Sequence, residues 1–447
     1  MAKVLDMTHG KPIRLMLKFA FPVILTNFGQ QLYQIVDAMI VGRGVGVDAL
    51  AAVGCTDWTY WLILWSMSTM TAGFATFVSR FFGEKDFVKL NKAISISALL
   101  SAIIAILLTV VGLLLARPLL VFLGTPDNIL KDAVIYLSTM IGGTLIMTSY
   151  NLAASILRAF GDGKSPLAAM AIAAVTNIVL DLFFVMVVGW GVFGAALASV
   201  ISQLIAFLYC VIKIKSIEYI DVREMLRCRD LKLAGEILFF GVPLALQYII
   251  INLGGIILQS TINVQGSSFI AGYTAVNKLY GLLECTAIAL GSAFTTFASQ
   301  NFGAGNYGRL KDGVKKAMLL AVLSALVIMA IVLPLNRTLP LLFMDVHEQG
   351  VENALSVASR YLINMSVSMP ILYLVYVHRS NLQALGVASW SLISGIAEAV
   401  VRVVMAKVLF QWMGVDVLFF IEPFAWLAAW LFVMVPFYYY QEKYLQR

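Results

Sequence analysis

Between Lys164 and Lys213 the chain runs for 48 residues with one charged side chain, Asp181. A carboxylate in so apolar a stretch costs about 2.5–3.5 kcal/mol to place in a bilayer, so it must face water, pair with another group or bind a cation. Asn177 stands four residues earlier, one turn away on the same helix face. A second acid closes a polar stripe of Asn27, Gln30, Gln34 and Asp37, at spacings of 3, 4 and 3. That spacing lies along one face of a helix. Amides that merely join helices in lipid need no charge, so a stripe ending in an acid is read as the lining of a substrate cavity. Ser199 and Asn151, in other apolar stretches, offer further oxygens. Asp37, Asn177, Asp181, Ser199 and Asn151 are therefore the candidates for a hard, oxygen-rich cation site. A proton needs one carboxylate, whereas Na⁺ needs several oxygens at once, and these residues allow either.

The second half of the chain carries different polar groups. Gln247 is the nearest counterpart of the acid-bearing stripe, followed by Lys278 and Glu284, then by Glu398 and Arg402. The last two are spaced i, i+4 and are expected to neutralise each other. Other motifs exclude themselves. In GDGKS at Gly161, the first glycine of a phosphate loop would fall on Arg158, so the loop lacks that chemistry. GRGVG at Gly42 lies between two apolar stretches with no βαβ context and reads as a turn. Four scattered cysteines without a CxxC pair, and three histidines, argue against a structural metal. No nucleophile–base set stands out. Neither an enzymatic activity nor a cofactor is expected, and no metal beyond Na⁺ as a coupling ion.

These groups need elements to hold them. Of 447 residues, 61% are hydrophobic and 12% are charged, whereas a soluble protein carries roughly 25% charged residues. The chain reads as an all-α polytopic membrane protein. Charge-poor stretches of about 20 residues place twelve spans near 18–39, 58–79, 93–116, 133–157, 166–188, 193–212, 235–258, 270–298, 317–336, 354–377, 388–410 and 418–440. The polar start of the chain leads directly into a long apolar stretch, so no cleavable signal peptide is expected. With twelve spans both termini share a side, and 23 of the 31 Lys and Arg fall on that side, with Arg379 assigned to one of its loops. Both termini are therefore expected to be cytoplasmic. The net charge of +7 follows from this asymmetry and implies no nucleic-acid partner.

The chain also repeats itself. FAFPVILTNFGQQLY at Phe19 resembles FFGVPLALQYIIINL at Phe239, and SRFFGEKDFVKL at Ser79 resembles SQNFGAGNYGRL at Ser299. LRAFGDGKSP at Leu157 resembles LQALGVASWS at Leu382. Two six-helix lobes follow, 1–212 and 233–447, joined by a cytoplasmic linker at 213–232. An even number of spans per lobe makes the repeats parallel, related by a pseudo-two-fold axis along the membrane normal.

In this order, FPVILTNFGQQLYQIVDAMIVGRGVG, the two loop copies, LRAFGDGKSP, and TNIVLDLFFV followed by GVFGAALAS resemble the multidrug and toxic compound extrusion (MATE) transporters, of the bacterial type, over essentially the whole chain. The resemblance implies a V-shaped arrangement of two six-helix lobes and export of amphipathic organic cations by antiport with Na⁺ or H⁺. It implies coupling through the N-lobe, on Asp37, Asn177, Asp181, Ser199 and Asn151, with Pro22 as the hinge of the first helix. The C-lobe departs from branches that carry an acid in span seven, since Gln247 stands there. Expected partners are small organic cations and membrane lipid, with the chain acting as a monomer in a bacterial plasma (inner) membrane. The alternative is a lipid-linked oligosaccharide flippase of the same superfamily, whose more cationic cavity holds phosphates.

Overall fold

The computed structural model describes residues 4–221, 223, 230–344 and 350–445, without the side chains at 35, 47, 57, 58, 444 and 445. Part of the expected linker, at 222 and 224–229, lies outside the described residues. Among the described residues regular structure is helix alone. The helices are α1 (Pro12–Gly44), α2 (Val47–Glu84), α3 (Phe87–Phe122), α4 (Asp127–Gly142), α5 (Thr144–Ala159), α6 (Lys164–Asp181) and α7 (Gly191–Lys215). They continue as α8 (Leu231–Ile262), α9 (Ser267–Gly303), α10 (Tyr307–Val332), α11 (Val351–Ala384), α12 (Ala388–Val404) and α13 (Ile421–Leu445). One π-helical turn follows α6 at Leu182–Val187 and another follows α12 at Met405–Leu409.

The expected spans fall mostly on helix, with breaks at Gly143 and Val188 and with 333–336 of the ninth span in a turn. Among the described residues nine stretches are long and apolar enough to cross a membrane, ten if the bent pair α4 and α5 counts as one span. Two causes separate ten from twelve. α1, which carries the Asn, Gln and Asp stripe, is not among these stretches, and Ala388–Lys443 is a single 56-residue stretch that holds the last two expected spans. On α3, Leu99, Ile103, Ile106, Leu107, Val110 and Leu114 are all exposed. Their spacing makes one apolar stripe, suited to lipid tails.

The chain divides into two compact units. The first is Met1–Asp6 with Phe21–Ala245, and the second is Met7–Ala20 with Leu246–Arg447. Contacts thus divide α1 between Ala20 and Phe21, beside Pro22, and α8 between Ala245 and Leu246, two residues past Pro243. Sequence repetition places its boundary at 213–232, but packing assigns the start of each of these two helices to the other unit. Proline removes one backbone donor from a helix. At Pro22 the Thr26 hydroxyl donates back to the proline carbonyl at 2.9 Å.

In the first unit the core gathers Met70, Phe74, Phe82, Leu90, Leu157 and Phe160. α4 and α5 meet at 46°. Gly143 at their joint lies so near α7 that a Cβ there would sit 2.4 Å from Val200 Cγ2. The GDGKS segment caps α6. Asp162 accepts from the backbone N–H groups of Lys164 and Ser165, both at 3.0 Å, and from the Ser165 hydroxyl at 2.5 Å. Such a cap satisfies the unpaired N–H groups of a helix start, and it explains the motif without a phosphate.

In the second unit α9 and α11 pack along their lengths around Phe294, Phe297, Tyr361 and Tyr373. The segment before α1 is tied to this unit through Met7, whose N–H donates to Gln300 Oε1 at 2.8 Å. The Met7 carbonyl accepts from Asn301 at 3.1 Å and from Arg309 at 3.0 Å. Gln300, Asn301 and Arg309 belong to the second copy of the repeated loop.

Candidate cation site

Three helices of the first unit build the site. α1 supplies Tyr33 and Asp37, α6 supplies Asn177 and Asp181, and α7 supplies Ser199. The i, i+4 spacing sets Tyr33 with Asp37 and Asn177 with Asp181 on their respective helix faces. α1 lies close on α6: a Cβ at Gly29 would overlap the end of Met170, and one at Gly44 would lie 2.9 Å from Val185 in the π turn. Asn177 and Asp181 are fully buried, Ser199 nearly so, and Asp37 partly accessible.

The Ser199 hydroxyl is the hub. It shares a hydrogen bond of 3.0 Å with the Tyr33 hydroxyl and accepts from Asn177 Nδ2 at 3.2 Å. The carboxyls of Asp37 and Asp181 are neighbours that interact directly. Both oxygens of Asp181, one oxygen of Asp37 and the amide oxygen of Asn177 are buried without a hydrogen-bond donor among the described residues. No described Lys, Arg or His forms an ion pair with either acid. Two like charges out of water need a compensating cation or proton, and donorless oxygens are what either would engage. Asp181 closes α6 just where the chain passes into the π turn. Single π turns inside helices recur at functional positions.

Tyr33 was absent from the sequence expectation. Its signal was its place one turn before Asp37 on the polar stripe. Asn151 stands on α5, where its Nδ2 donates to the Met147 carbonyl of the same helix at 3.0 Å. Asn27, Gln30 and Gln34 are partly accessible along α1, as a cavity lining requires.

The second unit differs from expectation in its charges. Glu398 and Arg402 do pair, at 2.8 Å, within a longer chain. Arg379 donates to Glu398 at 2.8 Å, and Arg402 also reaches Glu422 at 2.7 Å. Arg379 is therefore not a loop residue. It lies inside α11, buried, with its guanidinium also donating to Ser394 at 2.8 and 3.0 Å. Arg379 and Glu422 escaped sequence reading because their partners lie on other helices. Gln247 packs against Gly395 of α12, and Lys278 is exposed. Glu284 accepts from the hydroxyls of Tyr280 and Tyr376. Among the described residues no group of three or more His, Cys, Asp or Glu is arranged to hold a metal ion.

Comparison with known proteins extends this picture. The chain is 31% identical over 311 residues to the probable multidrug resistance protein YpnP of Bacillus subtilis, covering 69% of each. It is 26% identical to the probable multidrug resistance protein YoeA of the same organism, over 91% of this chain and 88% of that one. Its fold matches that of an outward-facing multidrug resistance MATE family transporter of the MOP superfamily, with a TM-score of 0.89 at 21% identity, over 100% of this chain and 99% of the other. A MOP superfamily transporter from Pyrococcus furiosus, described as having a binding pocket of reverse polarity, matches equally, with a TM-score of 0.89 at 21% identity over 99% of this chain and 98% of that one. The MatE pattern matches residues 22–183 and 243–408, one block in each repeat and well over half of the chain, and so this multi-pass membrane protein belongs to the MatE family of transporters.

Proposed function

We propose that the protein is a secondary active multidrug exporter, moving amphipathic organic cations outward in exchange for Na⁺ or H⁺ by alternating access. The observation that carries this reading is the set of four buried, donorless oxygens contributed by Asp37, Asn177 and Asp181. The names of the Bacillus relatives support the substrate class. In this reading the chain works as a monomer in a bacterial plasma (inner) membrane, with both termini cytoplasmic.

The coupling cation enters from outside and binds Asp37 and Asp181, with Asn177 Oδ1 and the Ser199 and Tyr33 hydroxyls around it. Neutralising the two carboxyls removes the repulsion between α1 and α6 and the need for hydration there. α1 then bends near Pro22, where one helical hydrogen bond is missing by construction. The bend withdraws the Asn27, Gln30, Gln34 and Asp37 face from the substrate. Coupling follows if cation and substrate favour different states.

The test is transport of a fluorescent organic cation in proteoliposomes under a Na⁺ gradient or a pH gradient, imposed separately. Gradient-driven movement by wild type, abolished in Asp37→Asn, is expected, and the effective gradient names the ion. Movement by Asp37→Asn at the wild-type rate would refute coupling through this site. Absence of movement by folded wild type under both gradients would favour the flippase.

A further inference from the structure

Lys11, just before α1, and Arg14 and Lys18 in its first turns stand at spacings of 3 and 4, which puts three cations on one helix face. With Lys316 of α10 they surround a cavity of about 820 Å³ within the second unit. Ile13 and Leu17 also line it, and no described carboxylate does. Lys11, Arg14 and Lys18 are exposed, and none of them forms an ion pair among the described residues. Lys316 pairs with Asp312 one turn back on its own helix, an exposed i, i+4 contact of little strength. Four like charges around one open space repel each other unless an anion sits among them. Cations that only fix the direction of insertion need to lie in a loop, but they need not enclose a cavity.

The apolar residues beyond the cations narrow the ligand. On α10 Leu319, Leu323 and Leu326 are exposed. They follow Lys316 at steps of 3, 4 and 3, so they extend its helix face as an apolar stripe. From Lys316 to Leu326 is about 15 Å along the axis, close to the depth of one leaflet of hydrocarbon. On α1 Leu17 is exposed at the cavity, and Phe21 and Leu25 are exposed at further steps of four. Each helix therefore carries cations at one end and a greasy strip running on from them. A free phosphate would use the cations alone, and an organic cation would be repelled. An anionic phospholipid uses both, with its phosphate on Lys and Arg and its chains on leucine.

We propose that Lys11, Arg14, Lys18 and Lys316 bind the headgroup of an anionic phospholipid, with an acyl chain lying along Leu319, Leu323 and Leu326. The phosphate joins the start of α1, ahead of Pro22, to α10 and cancels the repulsion between their cations. The site depends on the chain spanning a membrane and not on what the chain transports.

The experiment is native mass spectrometry of the purified, delipidated full-length protein in detergent. It is titrated separately with phosphatidylglycerol and with phosphatidylcholine of the same acyl chains. Wild type is expected to hold one phosphatidylglycerol at least about tenfold more tightly than phosphatidylcholine. The triple variant Lys11→Gln, Arg14→Gln, Lys18→Gln is expected to lose that preference, and Lys316→Gln alone to reduce it about fivefold. A control that removes three cations elsewhere, Lys213→Gln with Lys215→Gln and Lys232→Gln, is expected to bind within about twofold of wild type. All variants are expected to unfold at the wild-type temperature in phosphatidylcholine nanodiscs, and the single Lys316→Gln change tests the site independently of the triple variant. No preference in wild type, or a preference that both the triple variant and Lys316→Gln retain, would overturn the site. An equal loss in the control would reduce the effect to net charge and overturn it too. Displacement of the lipid by equimolar inorganic phosphate would identify the ligand as free phosphate and overturn the assignment to lipid.

Discussion

Asp37 on α1 and Asp181 at the end of α6 are interacting carboxyl neighbours, and three of their four oxygens are buried without a donor. No described Lys, Arg or His forms an ion pair with either carboxyl. In the proposed reading, a cation or proton bound there stabilises the fold as well as driving transport. Ligands that bind only the native state raise stability by about 2.7 kcal/mol at a hundredfold excess over Kd. Thermal unfolding of the purified protein should shift upward with either Na⁺ or mild acidification, whichever is the coupling ion. Asp37→Asn with Asp181→Asn should abolish that shift. A double variant that responds like wild type would place the ion elsewhere.

Arg402 is expected to be among the least replaceable side chains of the second unit. It bonds Glu398, Glu422 and the Ile251 carbonyl. Arg402→Met leaves two buried carboxylates with only Arg379 between them. Breaking such a buried pair costs about 3–5 kcal/mol. The unfolding temperature should fall by many degrees. Replacing all four charges together with apolar residues should cost much less, because no unpaired charge remains.

The repeated loop carries a correctable strain. Lys85 is the one described non-glycine residue in the left-handed region, at φ 58°. Its counterpart in the second copy is Gly305, at φ 70°. The left-handed conformation costs a residue with a Cβ roughly 1–2 kcal/mol, partly offset by the entropy glycine adds to the unfolded chain. Lys85→Gly should stabilise by about 0.5 kcal/mol, with transport unchanged, as read from unfolding midpoints and efflux rates.

Next to it, Asp86 caps α3 by accepting from the Lys89 N–H at 3.0 Å. That backbone bond, then the Lys89 ammonium, holds the carboxyl below the usual carboxylate range. Its folded pKa is depressed, so its contribution is present above about pH 4 and lost as pH falls through the folded value. Asp86→Ala should cost about 1 kcal/mol at neutral pH. The gap between variant and wild type should narrow on acidification below about pH 4.

Pro22→Ala restores a donor to α1. It should stiffen the helix where contacts divide it between the units. Cation-driven efflux is expected to slow several-fold while tetraphenylphosphonium affinity stays near that of wild type. An unaltered efflux rate would remove Pro22 from the mechanism.

Much of this protein was legible from residue order because helices in lipid are local objects. Apolar length marked the spans, and repeated motifs marked the two halves. The i, i+4 spacing put Asn177 and Asp181 together on α6 and Glu398 and Arg402 together on α12. What helix meets what helix is a different matter. It depends on packing between segments tens to hundreds of residues apart, and one helix's periodicity carries no record of its neighbours. Only the tertiary structure brought Tyr33 and Asn177 onto the Ser199 hydroxyl and set Asp37 beside Asp181. It also moved Arg379 from an expected loop into a buried ion chain with Glu422, and it gave Glu284 two phenols in place of a cation. Apolar burial decides which segments enter the membrane, and side-chain fit between helices decides which of their polar groups are left to work.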